Sequence, residues 1–167
     1  KIKGCFVVGS AGSDEKVAWL KDVAGVDEAF NYKTVDNLFK TVGQHCPNGI
    51  DIYFENVGGK HLEAALEYMN PQGRLVMCGM ISQYNATKPP QGPSNLGYVV
   101  AKQLTMQGFL VGNYFHKMKQ FQADMGKWIA EGRIAWKETV LEGIEKAPEA
   151  FIGLFKGENF GKMIVKL

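Results

Sequence analysis

The sequence has few cysteines, no dense run of one charge and no long apolar stretch, and these absences exclude several classes of protein. Three widely spaced cysteines do not suggest a disulfide framework and indicate a reducing, cytoplasmic compartment. A net charge of +2, with lysine and arginine spread along 167 residues, gives no sign of a nucleic-acid surface. The longest apolar stretches are far too short to span a bilayer, so we expect no membrane contact.

A glycine-rich phosphate motif is also missing. No G-x-G-x-x-G occurs, and the pair Gly58-Gly59 lacks the spacing. The chain starts at Lys1 without methionine and enters an apolar run almost at once. We therefore expect the sequence to be the later part of a longer chain.

Cysteine and histidine are too dispersed to suggest a metal site. His45-Cys46 is the nearest thing to a ligand pair, and no second cluster accompanies it, so we predict no metal. Cys5 and Cys78 lie in apolar runs and are predicted to be buried thiols.

Short apolar runs alternate with helical patterns, which predicts an α/β fold with a doubly wound parallel sheet. The predicted strands are residues 5–8, 29–32, Ile50–Glu55, 74–78, 104–111, 135–141 and Lys162–Lys166. The predicted helices are residues 13–24, one capped by Thr34, 59–69, 96–102, 115–131 and 148–156, with a turn at 70–73. In the longest helix we expect a stripe to face the core: Met118, Phe121, Met125, Trp128 and Ile129.

Residues 5–16, CFVVGSAGSDEK, predict a strand, a small-residue turn and a helix capped by Ser13. Where a dinucleotide-binding fold usually carries an acid for the ribose 2′-hydroxyl, this chain has glycine and serine, and the next cation is Lys16. A lysine with hydroxyl groups would accept a 2′-phosphate, so the stretch favours NADP over NAD. On these residues alone, Lys16 as a solvated helix residue and Ser13 as a simple cap stay equally open.

Ligands of parallel sheets bind beyond the carboxyl ends of the strands, so the polar and glycine residues there are the informative ones. They lie at residues 9–13, Tyr32, 56–59 and 79–84. Residues 80–97 hold three prolines and are too long for a plain connector, which favours a binding loop over a surface excursion.

Several motifs in order resemble one family over essentially the whole chain: GSAGSDEK, FNYKT, DIYFENVGG, GRLVMCGMISQYN and FKGENFGKMIVKL. The sequence resembles the zinc-independent medium-chain dehydrogenases/reductases, in the branch of prostaglandin reductases, leukotriene hydroxydehydrogenases and 2-alkenal or curcumin-type reductases. The resemblance implies a Rossmann-like sheet that lacks its first strand, turn and helix. It also implies an NADPH-dependent reductase of the C=C bond in α,β-unsaturated aldehydes and ketones.

The resemblance assigns cofactor contacts to individual positions of this sequence. Ser13 is added because its hydroxyl group lies in the stretch that favours NADP. The candidate cofactor-binding residues are Ser13, Lys16, Tyr32, Asn56, Cys78, Gly79, Met80, Ile81, Ser82, Gln83, Tyr84, Phe109, Leu110, Val111 and Asn159. Tyr84 is also the candidate catalytic residue, with clamping of the cofactor as the alternative. Some relatives carry a substrate-side tyrosine where this chain has Ala101, and Tyr98, one helical turn away, is a possible substitute.

The resemblance also implies a domain division. Residues 1–133 would form a partial NADP-binding domain. Residues 134–167 would return to a substrate-binding lobe whose N-terminal part is not among the 167 residues of this sequence. We expect this piece alone to be inactive. A homodimer through residues 104–111 stays open. Two alternative functions also stay open: an NADPH quinone reductase, and a nucleotide-binding module without redox chemistry. A methyltransferase-like domain is the least favoured alternative.

Overall fold

A computed structural model describes residues 1–167, and the chain forms two compact units. Unit 1 comprises Lys1–Lys33 with Gln120–Leu167, and unit 2 comprises Thr34–Lys119. Helices alternate with strands that pair in parallel, which confirms the predicted α/β class. No helix combines the length and the apolar character that crossing a membrane requires. The division at residue 133 stays a prediction about a longer chain.

Unit 1 is built from two pairs of parallel strands with helices beside them. Its first part contains β1 (Val8–Ala11), α1 (Asp14–Asp22) and β2 (Glu28–Asn31), and β1 pairs with β2. Its second part contains most of α5 (Met118–Ala130), β6 (Glu138–Glu142), α6 (Ala147–Lys156) and β7 (Lys162–Lys166). β6 pairs only with β7. It begins at Glu138, three residues later than the strand predicted at 135–141.

The first strand begins later than the sequence predicted. Pairing with β2 starts at Val8, so the apolar run 5–7 precedes the ladder, and Cys5 is exposed. The Asp27 carboxylate accepts a hydrogen bond from the Val7 N–H at 2.7 Å. The prediction of a buried Cys5 thiol was wrong because an apolar run outside the ladder has no second strand to cover it.

Unit 2 is a three-stranded parallel sheet in the order β3-β4-β5. Its elements are α2 (Leu38–His45), β3 (Ile50–Glu55), α3 (Gly59–Tyr68), β4 (Met69–Met77), α4 (Gly97–Ala101) and β5 (Thr105–Gly108). Two 3-10 turns, Ile81–Gln83 and Val111–Lys117, follow β4 and β5. The core lies between the sheet and α3, and its buried members are Leu62, Leu66, Met69, Leu75 and Leu104.

Three boundaries in unit 2 differ from the predicted ones. α2 is capped by Asn37, whose Oδ1 accepts the Lys40 N–H at 3.0 Å, and not by Thr34. The predicted turn at 70–73 lies within β4, as a register shift opposite the start of β3. The ladder of β5 with β4 ends at Gly108, and one further bond joins the Phe109 N–H to the Met77 carbonyl at 3.3 Å, so the predicted strand is shorter at its end by three residues.

The apolar stripe of α5 is not core within the described chain. α5 has no buried residue, and Phe121 is 57% exposed. Met118 and Ile129 are exposed as well, whereas Met125 and Trp128 are half-buried. The prediction was wrong because a helical stripe shows only that a face is apolar; burial requires a packed neighbour, and no helix or strand packs extensively along α5.

Glu63 on α3 anchors the far end of the proline-rich loop. Its Oε1 accepts hydrogen bonds from the Ser94 N–H at 2.9 Å and the Ser94 hydroxyl at 2.7 Å. Lys60 Nζ lies 2.8 Å from Oε2, and Asn95 Nδ2 donates to the Glu63 carbonyl at 2.8 Å. Hydrogen bonds from Lys60 and Ser94 lower the pKa of Glu63 to about 2. The loop therefore ends on an ionised, largely buried carboxylate.

This anchor predicts a pH-dependent contribution to stability. Because the folded pKa of Glu63 lies below the ordinary value of 4.5, the contribution is complete above pH 4.5 and declines as pH falls towards 2. Glu63→Gln should lower the thermal midpoint at pH 7, and the difference from the parent should shrink steadily between pH 5 and pH 3. Thermal unfolding across this range measures it, with Glu67→Gln on the same helix as control. A difference independent of pH would contradict the assignment.

Candidate nucleotide-binding site

Ser13 starts α1 in the way the sequence predicted. Its backbone is extended, at φ −154° and ψ 154°, and its Oγ accepts the Lys16 N–H at 3.3 Å. Asp14 and Glu15 occupy the first turn, where they complement the helix dipole. The N-cap prediction for Ser13 is confirmed. Any role of Ser13 in cofactor binding is a separate prediction.

Lys16 reaches a segment far away in the sequence. Its Nζ donates a hydrogen bond to the Gly157 carbonyl at 2.6 Å, and Gly157 ends α6 in the left-handed conformation. The Trp19 and Phe160 rings meet edge to face, with centroids 6.0 Å apart. Two residues beyond Gly157, Asn159 Nδ2 donates to the Gly161 carbonyl at 2.7 Å. Unit 1 therefore brings Lys16 and the segment that carries Asn159 together.

Tyr32 follows β2 and lies over the turn that precedes Ser13. Its N–H donates to the Ala11 carbonyl at 3.1 Å. A Cβ atom at Gly12 would lie 3.1 Å from the Tyr32 hydroxyl and 3.1 Å from Lys33 Cε. A larger residue at position 12 would therefore displace both side chains.

Lys33 is a second cation beside this turn, and sequence reasoning missed it. Its Nζ would lie 3.4 Å from a Cβ at Gly12. The signal was present, since Lys33 directly follows Tyr32 in the FNYKT motif. The turn therefore has the Tyr32 hydroxyl and the Lys33 ammonium group beside it, and hydroxyl and ammonium donors are the set that suits a phosphate group.

In unit 2 the turn after β3 and the loop after β4 form one hydrogen-bonded assembly. The Glu55 carbonyl accepts the Cys78 N–H at 2.9 Å and the Gly79 N–H at 3.0 Å. The Asn56 carbonyl accepts the Ile81 N–H at 2.9 Å, and the Val57 carbonyl accepts the Ser82 N–H at 3.0 Å. These bonds bring Asn56 next to the segment that holds the predicted residues Cys78, Gly79, Met80, Ile81 and Ser82.

A buried carboxylate lies beneath that assembly. Glu55 is completely buried, and its Oε1 accepts hydrogen bonds from the Val57 and Gly58 N–H groups, the latter at 2.8 Å. Burial, with the Glu55 charge, raises the pKa of Tyr53 well above its usual range. Burial lowers the pKa of His61, whereas Glu55 acts in the opposite direction. Glu55 was not among the predicted residues, although it precedes Asn56 in the ENVGG motif.

Tyr84 folds back onto its own loop. Its hydroxyl oxygen accepts the Met80 N–H at 3.3 Å, and a Cβ at Gly79 would lie 2.7 Å from that oxygen. Gln83 N–H donates to the Met80 carbonyl at 2.9 Å. The tyrosine proton is not used by the Met80 contact, because the hydroxyl oxygen is the acceptor there.

Cys78 does not have the buried thiol that its apolar run predicted. It is exposed because β4 ends at Met77, one residue earlier, where the chain turns away from the sheet. The three cysteines are all free. No group of three or more histidine, cysteine, aspartate or glutamate side chains lies close enough together to hold a metal ion.

The segment after β5 is partly packed and partly exposed. The Phe109 ring meets Phe54 and Tyr114 edge to face, with centroids 6.1 and 6.0 Å away. An open cavity of about 270 Å³ is lined by Val76, Gln107, Phe109 and Tyr114. Leu110 is 73% and Val111 66% exposed, so within the described chain they form no closed apolar wall.

Tyr98, the possible substitute for a substrate-side tyrosine, packs against the core of unit 2. Lys102 Nζ lies 4.6 Å from the centroid of its ring. The ring of Tyr98 is therefore engaged in packing.

Comparison with known proteins identifies relatives along the whole chain. A zinc-type alcohol dehydrogenase-like protein of Schizosaccharomyces pombe is 52% identical over 100% of this chain and 47% of its own length. The NADPH-dependent curcumin reductase of Escherichia coli is 42% identical over 100% of this chain and 50% of its own length. The chain thus spans about half the length of these curated relatives.

A solved structure agrees with the fold. CurA from Vibrio vulnificus, in complex with NADPH, superposes with a TM-score of 0.92 at 44% identity, over 99% of this chain and 50% of CurA. This match confirms the predicted Rossmann-like class. The family model described as zinc-binding dehydrogenase matches residues 1–131. The chain therefore belongs to the zinc-binding dehydrogenase family.

Proposed function

We propose that the protein containing this chain is an NADPH-dependent oxidoreductase that reduces the C=C bond of α,β-unsaturated aldehydes and ketones. The observation that carries the cofactor is the turn at Gly12–Ser13, which has the Ser13 and Tyr32 hydroxyl groups and the Lys33 ammonium group beside it. Residues 9–13 contain no acid, and the nearest carboxylate along the chain, Asp14, accepts a hydrogen bond from Asn31 Nδ2 at 2.7 Å. The curcumin reductase of E. coli and CurA bound to NADPH support the same assignment.

The residues of each unit have the chemistry to bind one end of NADPH. In unit 1, Ser13, Lys16, Tyr32 and Asn159 bind the adenosine 2′-phosphate end, and a side chain at position 12 would displace the ends of Tyr32 and Lys33. In unit 2, the residues at the strand ends bind the nicotinamide half. They are Asn56, Cys78, Gly79, Met80, Ile81, Ser82, Gln83, Tyr84, Phe109, Leu110 and Val111.

Reduction of an enone needs a hydride at the β-carbon and stabilisation of the charge that develops on the oxygen. The cofactor supplies the hydride when it is bound. Tyr84 is the protein residue proposed to assist, because its hydroxyl accepts from Met80 N–H and keeps a proton to donate. Its place in the loop next to Asn56 supports this role.

The remaining assignments rest on composition and family resemblance. Three free cysteines support a reducing, cytoplasmic location. We propose that catalysis requires no zinc, that neither nucleic acid nor a membrane is a partner, and that the protein forms a homodimer. We further propose that residues 134–167 connect to a substrate-binding lobe.

Turnover on the full-length protein tests the function. With NADPH, a short-chain enal should be consumed with saturation of its C=C bond, and a quinone should react at least ten times more slowly in kcat/KM. Product analysis distinguishes the saturated aldehyde from an allylic alcohol. Faster turnover of the quinone, or NADPH binding without any turnover, would replace the proposal with one of the alternatives.

Lys16→Ala tests the cofactor preference. A charge-assisted hydrogen bond contributes about 1.5–3 kcal/mol, so the Kd for NADPH should rise about 10- to 100-fold. The Kd for NADH, which has no 2′-phosphate, should change less than threefold. Calorimetry on the full-length protein measures both constants. Lys21→Ala at the far end of α1 is the matched control, and equal losses for both nucleotides would remove the role given to Lys16.

Tyr84→Phe tests the catalytic assignment. Removal of the hydroxyl should lower kcat for an enal at least tenfold, because the substrate oxygen loses a donor. The Kd for NADPH should change less than threefold, and Tyr98→Phe should leave kcat near the parent value. A loss confined to the NADPH constant would instead make Tyr84 a clamp on the cofactor.

A further inference from the structure

The feature that the proposed function leaves unexplained is the Glu55 carboxylate. A buried ionisable side chain is costly unless hydrogen bonds satisfy it, and Glu55 is completely buried. No lysine or arginine forms an ion pair with it among the salt bridges of the chain. Its Oε1 is used instead by two backbone groups, the N–H of Val57 and the N–H of Gly58.

These two N–H groups belong to the turn that carries Asn56. Glu55 is the last residue of β3, and its carboxylate accepts hydrogen bonds from the N–H groups two and three residues later in the chain. The Glu55 side chain and the backbone from Glu55 to Gly58 thus form a closed ring that includes the Asn56 backbone. Gly58 has a φ of +77°, in the region that favours glycine. Asn56 is exposed to solvent. The backbone on either side of Asn56 is thus held by the bonds that the Glu55 carboxylate makes to Val57 and Gly58.

The same ring supports the loop after β4. The carbonyls of Glu55, Asn56 and Val57 together accept four N–H groups of that loop, from Cys78, Gly79, Ile81 and Ser82. A Cβ at Gly58 would lie 3.2 Å from Met80 Cβ and 3.2 Å from Ser82 Oγ. There is little room for the turn to shift without moving the loop as well.

We infer that Glu55 is a positioning residue for the nicotinamide half of the site: its carboxylate holds the Asn56 turn, and through that turn the loop at 78–82, in the conformation that binds the cofactor. This inference rests on the proposed function. It goes beyond it by assigning a role to a residue that is buried and contacts the cofactor only through other residues.

Three substitutions separate geometry from charge in the full-length protein. Glu55→Gln keeps an oxygen that can accept both N–H groups, so the Kd for NADPH should change less than threefold. Glu55→Asp keeps the charge and shortens the side chain by one methylene, and Glu55→Ala removes the acceptor. Both should raise the Kd for NADPH at least tenfold, as measured by quenching of protein fluorescence.

A core variant controls for simple loss of stability. Val42 on α2 is buried in unit 2 and lies outside the core cluster against which Met80 of the loop packs. Val42→Ala should lower the thermal midpoint and leave the Kd for NADPH within twofold. Amide hydrogen exchange adds a readout independent of the cofactor: Glu55→Asp and Glu55→Ala should speed exchange at residues 57–58 and 78–82, whereas Glu55→Gln and Val42→Ala should not.

The outcomes distinguish the two proposals. A wild-type protein that fails to bind NADPH contradicts the proposed function, and the inference with it. If the wild-type protein binds NADPH and Glu55→Asp has an unchanged Kd, the inference is overturned and the proposed function is not. This result decides the matter even if Glu55→Ala does not fold. An equal loss of binding in Val42→Ala would reduce Glu55 to a contributor to stability and overturn the inference as well.

Discussion

Parallel pairing brings the carboxyl ends of neighbouring strands to one edge of a sheet, and the arrangement of the candidate residues depends on this constraint. In unit 1, β1 and β2 run in parallel, so Gly12 and Tyr32 leave the pair at the same end. In unit 2, β3 and β4 do the same for Asn56 and Cys78. Strand pairing alone therefore brings together residues that are tens of positions apart in the sequence.

The two units present different chemical groups at their strand ends. Unit 1 presents side chains: the Lys33 ammonium group lies beside the turn that precedes α1, the Ser13 hydroxyl caps the helix, and the Lys16 ammonium group bonds the Gly157 carbonyl. Unit 2 presents backbone: the turn and loop are joined by their own amides, and the buried Glu55 carboxylate accepts hydrogen bonds from two of them. In the proposed function, unit 1 would supply the recognition of charge and unit 2 the shape of the binding loop.

The sequence was most informative where a pattern is local. Ile50–Glu55 and Lys162–Lys166 are strands with the predicted bounds, because turn residues delimit each apolar run. Ser13 caps α1 as predicted, and α6 ends at Lys156, where the predicted helix 148–156 ends, since both features depend only on neighbouring residues. The α/β class followed from the alternation of apolar runs with helical patterns, and the family followed from the order of several motifs.

Features decided by distant partners could not be predicted in the same way. The start of β1 is set by its register with β2, and an apolar run alone does not contain that register. Cys78 and the stripe of α5 are apolar in sequence, yet their exposure depends on what packs over them. The hydrogen bond from Lys16 to Gly157 joins residues 141 positions apart, and the cofactor roles of the candidate residues stay predictions.

We propose that this protein recognises the extra phosphate of NADPH through cations and hydroxyl groups at the start of α1. The most direct test is calorimetry of the wild-type full-length protein with adenosine 2′,5′-bisphosphate and with adenosine 5′-monophosphate. The account predicts that the 2′-phosphate tightens binding at least tenfold and that added salt reduces the difference. Equal affinity for the two nucleotides, at low and high salt alike, would contradict it.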